Sequence, residues 1–369
     1  MRPTARTTLL LGATLIGGCV FDSLQGVASV AQISNPVPRL LAISDNNIAV
    51  VVDQVALPGP GKLKKTTIKA FNTAGTLLAS ETLADLRRTS PTYRPMACTD
   101  IVALGDTAHT ATGRRLHDVI DLRCSEGTGY QLLVPRSAGG TMSIDRGGVS
   151  RLSSTMTRVY TDFSMPNWDN YGSTSDEQKL MGAGLFTAEI PRSQSSHRCN
   201  GRRAPFLAWS NGSPGTFRQT PIDLSGDLGC DVASLRISVD ETRSEWAILG
   251  DDTLVFMKWN PYSPSTPAAL ATPTITARVP VGTGSRNANV DVGYRHGQVA
   301  IARNIAIGSD RIVLLDRASL TVTNHINVKR AVAVDIHGPG SKTPPHMWFV
   351  GEDSSGTYSL GRAGLLPNP

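Results

Sequence analysis

The sequence has few charged residues and no obvious membrane-spanning segment. Asp, Glu, Lys and Arg make up 18% of its 369 residues, below the usual quarter for a globular protein. The apolar segment near the N-terminus, Leu9 to Ile16, is about half of the roughly 20 residues that a transmembrane helix requires. A permanent membrane-spanning helix is therefore not expected there.

Helical periodicity is also lacking. No stretch keeps apolar residues at i, i+3, i+4 and i+7 over about twelve residues. Short β-rich runs take its place, such as Ile48–Val52 and Arg311–Leu315, and Gly, Asn, Asp and Pro separate them. With 35 Gly and 23 Pro, the chain is expected to contain many turns. The predicted fold class is all-β.

Motifs for metals, phosphates and nucleophilic catalysis are missing or incomplete. The seven histidines are scattered, and the sequence contains no HExxH or CxxC motif, so a zinc site is not favoured. No segment completes the phosphate-binding pattern GxxxxGK[ST]. The formal net charge is +6, too small to indicate nucleic-acid binding. We therefore expect no metal, no cofactor and no nucleic-acid partner.

The first 19 residues form three zones. Arg2 and Arg6 give a positive start, an apolar run follows, and Gly17-Gly18-Cys19 closes the segment, which is the layout of a secretory signal peptide. Ile16-Gly17-Gly18-Cys19 resembles the lipobox of bacterial lipoproteins, where an aliphatic residue and two small ones precede a cysteine. The resemblance implies that residues 1–18 are removed as a signal peptide and that Cys19 is acylated. An ordinary signal peptide ending near a cysteine is the alternative.

The residues after Cys19 bear on location and domain limits. In the lipoprotein family an Asp at the next position often retains the protein at the inner membrane, and this chain has Val20 there. The resemblance thus favours a lipid-anchored protein at the outer membrane, on its periplasmic face or at the cell surface. Residues 19–39 are interpreted as a flexible tether. Residues 40–369 are interpreted as one folded domain.

Four cysteines remain besides Cys19, namely Cys98, Cys124, Cys199 and Cys230. An even number in an exported protein indicates disulfide bonds. Of the three pairings, Cys98 with Cys124 and Cys199 with Cys230 are favoured because each closes a short local segment. Loops of that size correspond to about 3 to 4 kcal/mol of stabilisation each.

A loose repeat runs through the body of the chain. An apolar segment, a polar turn and a second apolar run recur from five starts, at Leu41, Met142, Arg236, Val290 and Ala331. The last two intervals are roughly 40 to 55 residues, close to the length of a four-stranded propeller blade, and the first two are about double. Two segments, Lys69–Leu78 and Val313–Val322, each give a strand, a tight turn and another strand.

This rhythm resembles that of WD40-like and YVTN-like proteins. The resemblance implies a β-propeller of about seven four-stranded blades, with six or eight open, in which the two strand–turn–strand segments are outer hairpins. Tandem β-sandwiches are the alternative architecture. Ser143–Gly147 and Ser238–Asp240 also resemble the beginning of the Asp-box of sialidase-like propellers, without its final Trp, and the resemblance implies a turn at both places.

A polar loop with two aromatic residues is the candidate for partner binding. It contains Trp168, Asp169 and Tyr171, and aromatic side chains supply rigid apolar contact area at low entropic cost. Packing of the loop onto its own blade is the alternative. The predicted function is a membrane-anchored binding or scaffolding lipoprotein for a protein, or a glycan, of the cell envelope. A propeller enzyme acting on glycans or peptides and a surface adhesin are the other hypotheses.

Overall fold

The described part of the chain consists mainly of antiparallel β-strands. The structure is a computed structural model, and it describes residues 27–44, 47–56, 64–82, 98–103, 117–124, 128–140, 142–146, 150–152, 158–160, 173–181, 184–191, 198–199, 202–203, 205–210, 222–230, 232, 235–240, 243, 245–258, 274–282, 289–304, 311–337 and 346–365. Within these residues the prediction of an all-β protein is confirmed, since the one helix, α1 (Ser225–Leu228), is a single turn.

The described strands form six four-stranded sheets, numbered here along the chain. Sheet 1 contains β2 (Pro36–Ile43), β3 (Ala49–Ala56), β4 (Lys64–Phe71) and β5 (Leu77–Thr82). Sheet 2 contains β6 (Cys98–Ala103), β7 (His117–Cys124), β8 (Thr128–Pro135) and β9 (Ser143–Arg146). Sheet 3 contains β12 (Ser173–Met181), β13 (Gly184–Pro191), β16 (Phe206–Ser210) and β17 (Ile222–Asp223).

The remaining three sheets come from the C-terminal part of the chain. Sheet 4 contains β18 (Arg236–Asp240), β19 (Glu245–Leu249), β20 (Thr253–Lys258) and β21 (Thr274–Pro280). Sheet 5 contains β22 (Asn289–Arg295), β23 (Gln298–Arg303), β24 (Arg311–Asp316) and β25 (Thr321–Asn327). Sheet 6 contains β26 (Arg330–His337), β27 (His346–Glu352), β28 (Tyr358–Gly364) and, as its outer strand, β1 (Ala28–Ile33). Two short ribbons pair β10 (Ser150–Leu152) with β11 (Arg158–Tyr160) and β14 (Arg198–Cys199) with β15 (Arg202–Arg203).

The N-terminal strand joins the two ends of the chain. β1 pairs antiparallel with β28, from Ala28 opposite Arg362 to Ile33 opposite Tyr358. The interpretation of residues 19–39 as a tether is therefore wrong for residues 28–39, which belong to β1, β2 and the bend between them. Small and polar residues suggested a linker, but an outer strand needs only one apolar face, and Ile33 is 2% exposed.

Contacts between sheets run in a closed series through the first strands. β2 contacts β6, β6 contacts β12, β12 contacts β18, β18 contacts β22, β22 contacts β26, and β26 contacts β2. Each first strand thus lies beside the first strands of two neighbouring sheets. We call these six strands the inner strands.

The hydrophobic core lies between neighbouring sheets. Phe256 of sheet 4 packs with Tyr294 and Ile301 of sheet 5, and Trp348 of sheet 6 packs with Leu41 of sheet 1. Similar clusters fill the spaces between sheets 1 and 2 and between sheets 5 and 6. Because both faces are covered, central strands such as β19 are buried at every residue, which explains the continuous apolar runs in the sequence.

Four of the five predicted repeat starts lie on inner strands: Leu41 in β2, Arg236 in β18, Val290 in β22 and Ala331 in β26. The segment beginning at Met142 leads instead into β9, the fourth strand of sheet 2. About seven blades were expected, with six or eight open, and the described residues form six four-stranded sheets.

Two smaller predictions have opposite outcomes. Lys69–Leu78 and Val313–Val322 form the hairpins between the third and fourth strands of sheets 1 and 5. The turns predicted from the Asp-box resemblance are wrong over the described residues, because Ser143–Arg146 and Ser238–Asp240 lie in strands. A serine and an aspartate two residues apart point to the same face of a strand, and in β18 both side chains bind the backbone of the next sheet.

Candidate functional site

The inner strands are aligned by side chains that bind the backbone of the following inner strand. Asp240 Oδ2 accepts a hydrogen bond from the Gly297 amide at 3.1 Å, and Ser238 Oγ accepts one from the Tyr294 amide at 2.9 Å. The end of β18 therefore lies beside the end of β22. These two contacts fix the relative direction of sheets 4 and 5.

The same arrangement continues through sheet 6 to sheet 1. Asp291 Oδ2 accepts the Val334 amide at 3.0 Å, and Asp335 Oδ2 accepts the Ile43 amide at 3.2 Å. These inner strands all end at one edge of the molecule. Since strands alternate in direction within a sheet, β1 begins at that edge, which we call the Ala28 edge.

A surface cleft of ≈ 320 Å³ opens at the Ala28 edge between sheets 4 and 5. Its lining comes from the ends of strands and the turns that join them: Arg243, Glu245, Lys258, Thr276, Arg317 and Ala318. Sheet 4 supplies the first four residues, and the turn between β24 and β25 supplies the last two.

Glu245 forms the floor of the cleft and is fully engaged. Arg317 binds it with two hydrogen bonds, from Nε to Oε2 at 3.0 Å and from Nη2 to Oε1 at 2.8 Å. Thr276 Oγ1 donates to Oε1 at 2.7 Å, and the Tyr294 hydroxyl donates to Oε2. The Glu245 side chain is only 3% exposed, so this bidentate arrangement replaces the water that the carboxylate loses.

These contacts set the charges of the cluster. Burial acts to raise the pKa of Glu245, but the hydrogen bonds from Arg317, Tyr294 and Thr276 outweigh it and lower the pKa below its ordinary value. Burial first, and then the Glu245 carboxylate, raise the pKa of the Tyr294 hydroxyl. At neutral pH Glu245 is therefore ionised, and Tyr294 keeps its proton as the donor.

Arg317 connects this cluster to the core and to the open cleft. Its guanidinium lies 4.3 Å from the centroid of the Phe256 ring, a favourable cation–π distance. Within the described part of the chain, its Nη1 group makes no hydrogen bond. Donors on Nη1 are thus free for a group that enters the cleft.

Two further cations lie at the mouth of the cleft. Arg243 Nε is 3.6 Å from Asp240 Oδ2, and the Arg243 side chain is 43% exposed. Lys258 is exposed and makes no ion pair with any residue that the structure describes. The positive charge at this point is therefore only partly neutralised.

A tight turn of sheet 5 makes room for Arg243. His296 and Gly297 have φ values of 52° and 73°, as in the two-residue type I′ hairpin. A Cβ on Gly297 would lie 2.6 Å from Arg243 Nη2. Gly297 thus allows the guanidinium to rest directly on the neighbouring backbone.

The predicted cysteines fall in several places. Cys98 and Cys124 are directly opposite each other at the ends of β6 and β7, and Cys230 is disulfide-bonded. Cys199 lies in β14, and both pairings stay predictions. Cys19 lies outside the described residues.

The predicted partner loop, with Trp168, Asp169 and Tyr171, also lies outside the described residues. The cleft, by contrast, was not predicted from the sequence. Glu245 and Arg317 are 72 residues apart, and no local spacing connects them. A correct alignment of the repeats of sheets 4 and 5 is the signal that would have placed their turns together.

Searches for a metal site and a membrane span found neither in the parts of the chain described above. No group of three His, Cys, Asp or Glu residues there is arranged to hold a metal ion. No helix in those parts is long and apolar enough to cross a membrane.

No protein-family model matches the sequence, and the search of curated proteins found no match. Among solved structures, the chain is similar to a Trypanosoma rangeli sialidase in complex with the inhibitor DANA, at 9% identity and a TM-score of 0.49, covering 93% of this chain and 60% of the sialidase chain. The tail fibre of Staphylococcus aureus phage P68 is similar at 10% identity and a TM-score of 0.38. This similarity covers 93% of this chain and 53% of the tail-fibre chain. The chain is also similar to a puromycin hydrolase S511A mutant complexed with PGG, at 9% identity and a TM-score of 0.46. This similarity covers 88% of this chain and 51% of the hydrolase chain.

The chain thus spans little more than half the length of these three structures. Similarity at this level assigns neither an activity nor a ligand to the chain.

Proposed function

We propose that the chain is a six-bladed β-propeller held at a membrane surface, where it binds or scaffolds a partner of the cell envelope. The observation that carries the architecture is the closed series of contacts among the six inner strands. Two separate β-sandwiches would not need contacts between sheet 6 and sheet 1, yet these sheets share a hydrophobic cluster. The pairing of β1 with β28 places strands that are far apart in the sequence in one sheet, which also favours a closed ring.

The membrane attachment rests on the lipobox resemblance at Cys19. Each buried methylene of an acyl chain contributes about 0.8 kcal/mol, and stable anchoring takes more than one chain or a second signal. The expected result for Cys19→Ser is release from the membrane fraction together with loss of the lipid mass. A Val322→Ala variant, changed at a residue that is 58% exposed, is the control and should stay in the membrane fraction. Membrane retention of the unlipidated Cys19→Ser protein would contradict this part of the proposal.

The partner-binding role rests on the loop with Trp168 and Tyr171. The strand that follows it, β12, begins at Ser173. In the proposed propeller β12 runs parallel to the other inner strands and therefore begins at the edge opposite Ala28. We therefore propose that partners bind at the edge directed away from the anchor.

A comparative pull-down tests the partner-binding role. The intact protein is recovered from detergent-solubilised envelope as wild type, as Trp168→Ala with Tyr171→Ala, and as Val322→Ala, a control at a residue that is 58% exposed on an outer strand. We expect one assembly to be recovered by the wild type and the control and lost by the loop variant. Equal recovery by all three removes the loop from the proposal. Recovery of nothing by the wild type argues against scaffolding and favours assays for glycan or peptide hydrolysis.

A further inference from the structure

We propose that the Ala28 edge faces the membrane and that the cleft between sheets 4 and 5 binds the phosphate of an anionic lipid headgroup. This inference rests on the proposed anchor at Cys19. It adds a second contact between the protein and the membrane, made by named side chains rather than by an acyl chain.

Only a short segment separates the proposed anchor from the folded body. Because β1 begins at Ala28, only residues 20–27 separate Cys19 from the first strand. A fully extended segment spans at most about 3.3 to 3.6 Å per residue, so the anchor lies within about 30 Å of Ala28. Along the chain, the Ala28 edge is the part of the folded body closest to the anchor, and the opposite edge is further from it by the length of β1. We take this edge as the one that faces the lipid surface.

The cleft at the Ala28 edge carries positive charge. Lys258 and the exposed part of Arg243 carry positive charge at the mouth of the cleft, and Arg317 has an unused Nη1 group inside it. Glu245 is already saturated by four donors, and Asp240 is wholly buried against Gly297. Among the described residues that line the cleft, an entering anion thus meets unsatisfied donors before it meets a carboxylate.

The size of the cleft and its basic side chains suit a phosphodiester. A volume of ≈ 320 Å³ exceeds by about tenfold the roughly 30 Å³ that one water occupies in the liquid, so the cleft has room for a phosphodiester and part of its alcohol. Arg and Lys bind phosphate oxygens through charge-assisted hydrogen bonds. At an edge that faces a membrane, the phosphate within reach is that of the lipid headgroups.

Vesicle sedimentation tests this contact apart from the lipid anchor. The test protein is residues 20–369, exported behind an ordinary cleavable signal peptide, so that it lacks Cys19 and keeps every described residue. Vesicles of phosphatidylcholine are compared with vesicles that also contain phosphatidylglycerol. We expect binding only to the second kind, and weaker binding at high salt because exposed charges are screened.

A matched pair of variants locates the contact. Lys258→Gln removes one exposed charge at the Ala28 edge, and Lys65→Gln removes one exposed charge from β4 at the opposite edge. We expect Lys258→Gln to weaken binding about fivefold, the usual effect of one basic residue near an anionic surface, and Arg243→Gln with Lys258→Gln to weaken it further. Lys65→Gln should bind like the parent protein.

Three results would overturn the inference: equal binding to both kinds of vesicle, equal effects of Lys258→Gln and Lys65→Gln, or calorimetric binding of inorganic phosphate without any preference for charged vesicles. The fate of the anchor is measured separately by fractionation of Cys19→Ser cells. If the lipidated protein is membrane-bound but the vesicle preference is missing, the headgroup contact fails and the anchor stands.

Discussion

Glu245 is a charged side chain almost completely removed from water between two sheets. An unpaired carboxylate in that position would be strongly destabilising. Four donors from three residues surround its two oxygens, and two of these residues, Arg317 and Tyr294, belong to sheet 5. The carboxylate is therefore both satisfied and used to hold the two sheets in one relative position.

Replacement of Glu245 by Gln is expected to destabilise the fold and change its response to acid. At neutral pH we expect a loss of roughly 3 to 5 kcal/mol, because Arg317, whose side chain is 15% exposed, is left without its anion. The pKa of Glu245 is lowered on folding, so the unfolded chain binds more protons in acid. The stabilisation is present above the ordinary carboxyl pKa and is lost as pH falls through the folded value. Urea unfolding at neutral pH and at a series of pH values below the ordinary carboxyl pKa of 4.5 measures both effects.

A matched control for this experiment is Glu352→Gln. Glu352 pairs with Lys329 at 2.8 Å, but the lysine is 57% exposed, and ion pairs on the surface contribute little to stability. If Glu245→Gln costs no more than Glu352→Gln, or if its stability depends on pH as steeply as that of the wild type, the role assigned to Glu245 is wrong.

At the scale of elements, the register of β6 and β7 makes a specific disulfide prediction. Residues directly opposite in an antiparallel pair have Cα atoms about 4.5 to 5.5 Å apart, within the range of 4.4 to 6.8 Å found for disulfides. We expect Cys98 and Cys124 to be linked, and Cys98→Ser or Cys124→Ser to cost roughly 2 to 5 kcal/mol. Peptide mapping without reduction identifies the linkage, and a peptide joining Cys98 to Cys199 would contradict it. Prior reduction of the wild type should produce at least this loss of stability, because it also breaks the disulfide bond of Cys230.

The elements also show how far local sequence predicts this fold. Strands, turns and outer hairpins were predictable because apolar runs and Gly or Asn turns are local features. The position of a strand within its sheet is not local, and for this reason Met142 and the strand after it, the outer strand β9, were mistaken for the start of a new unit. β12 was missed as an inner strand, since Ser173–Met181 is mostly polar. The cleft depends on local turns and also on the positions of strands in two neighbouring sheets. Because the second is not a local feature, the cleft could not be predicted.

At the scale of the whole molecule, the described apolar side chains lie at interfaces between sheets, and stability is expected to depend on these interfaces. Each described apolar cluster draws on two neighbouring sheets. Sheet 6 is completed by residues from the opposite end of the sequence. The series of contacts between sheets is thus completed by residues that are far apart in the chain, and loss of one sheet edge is expected to affect its neighbours.

The closing strand can be tested without changing the length of the chain. Replacing Ala28–Ile33 by six Gly and Ser residues removes the apolar face of β1 and its pairing with β28. Loss of the buried Ile33 side chain alone is expected to cost about 2 to 5 kcal/mol, and a chain of this size should melt several degrees lower. The control replaces residues 20–25 by the same Gly and Ser sequence, which leaves every described strand intact and should not change the melting temperature.

Hydrogen exchange gives a second measurement. Exchange of the Leu360 amide, opposite Ala31 in the sheet, should increase only in the first variant, because β28 then becomes an edge strand. Equal melting temperatures for the two variants would mean that β1 contributes nothing to closure of the ring.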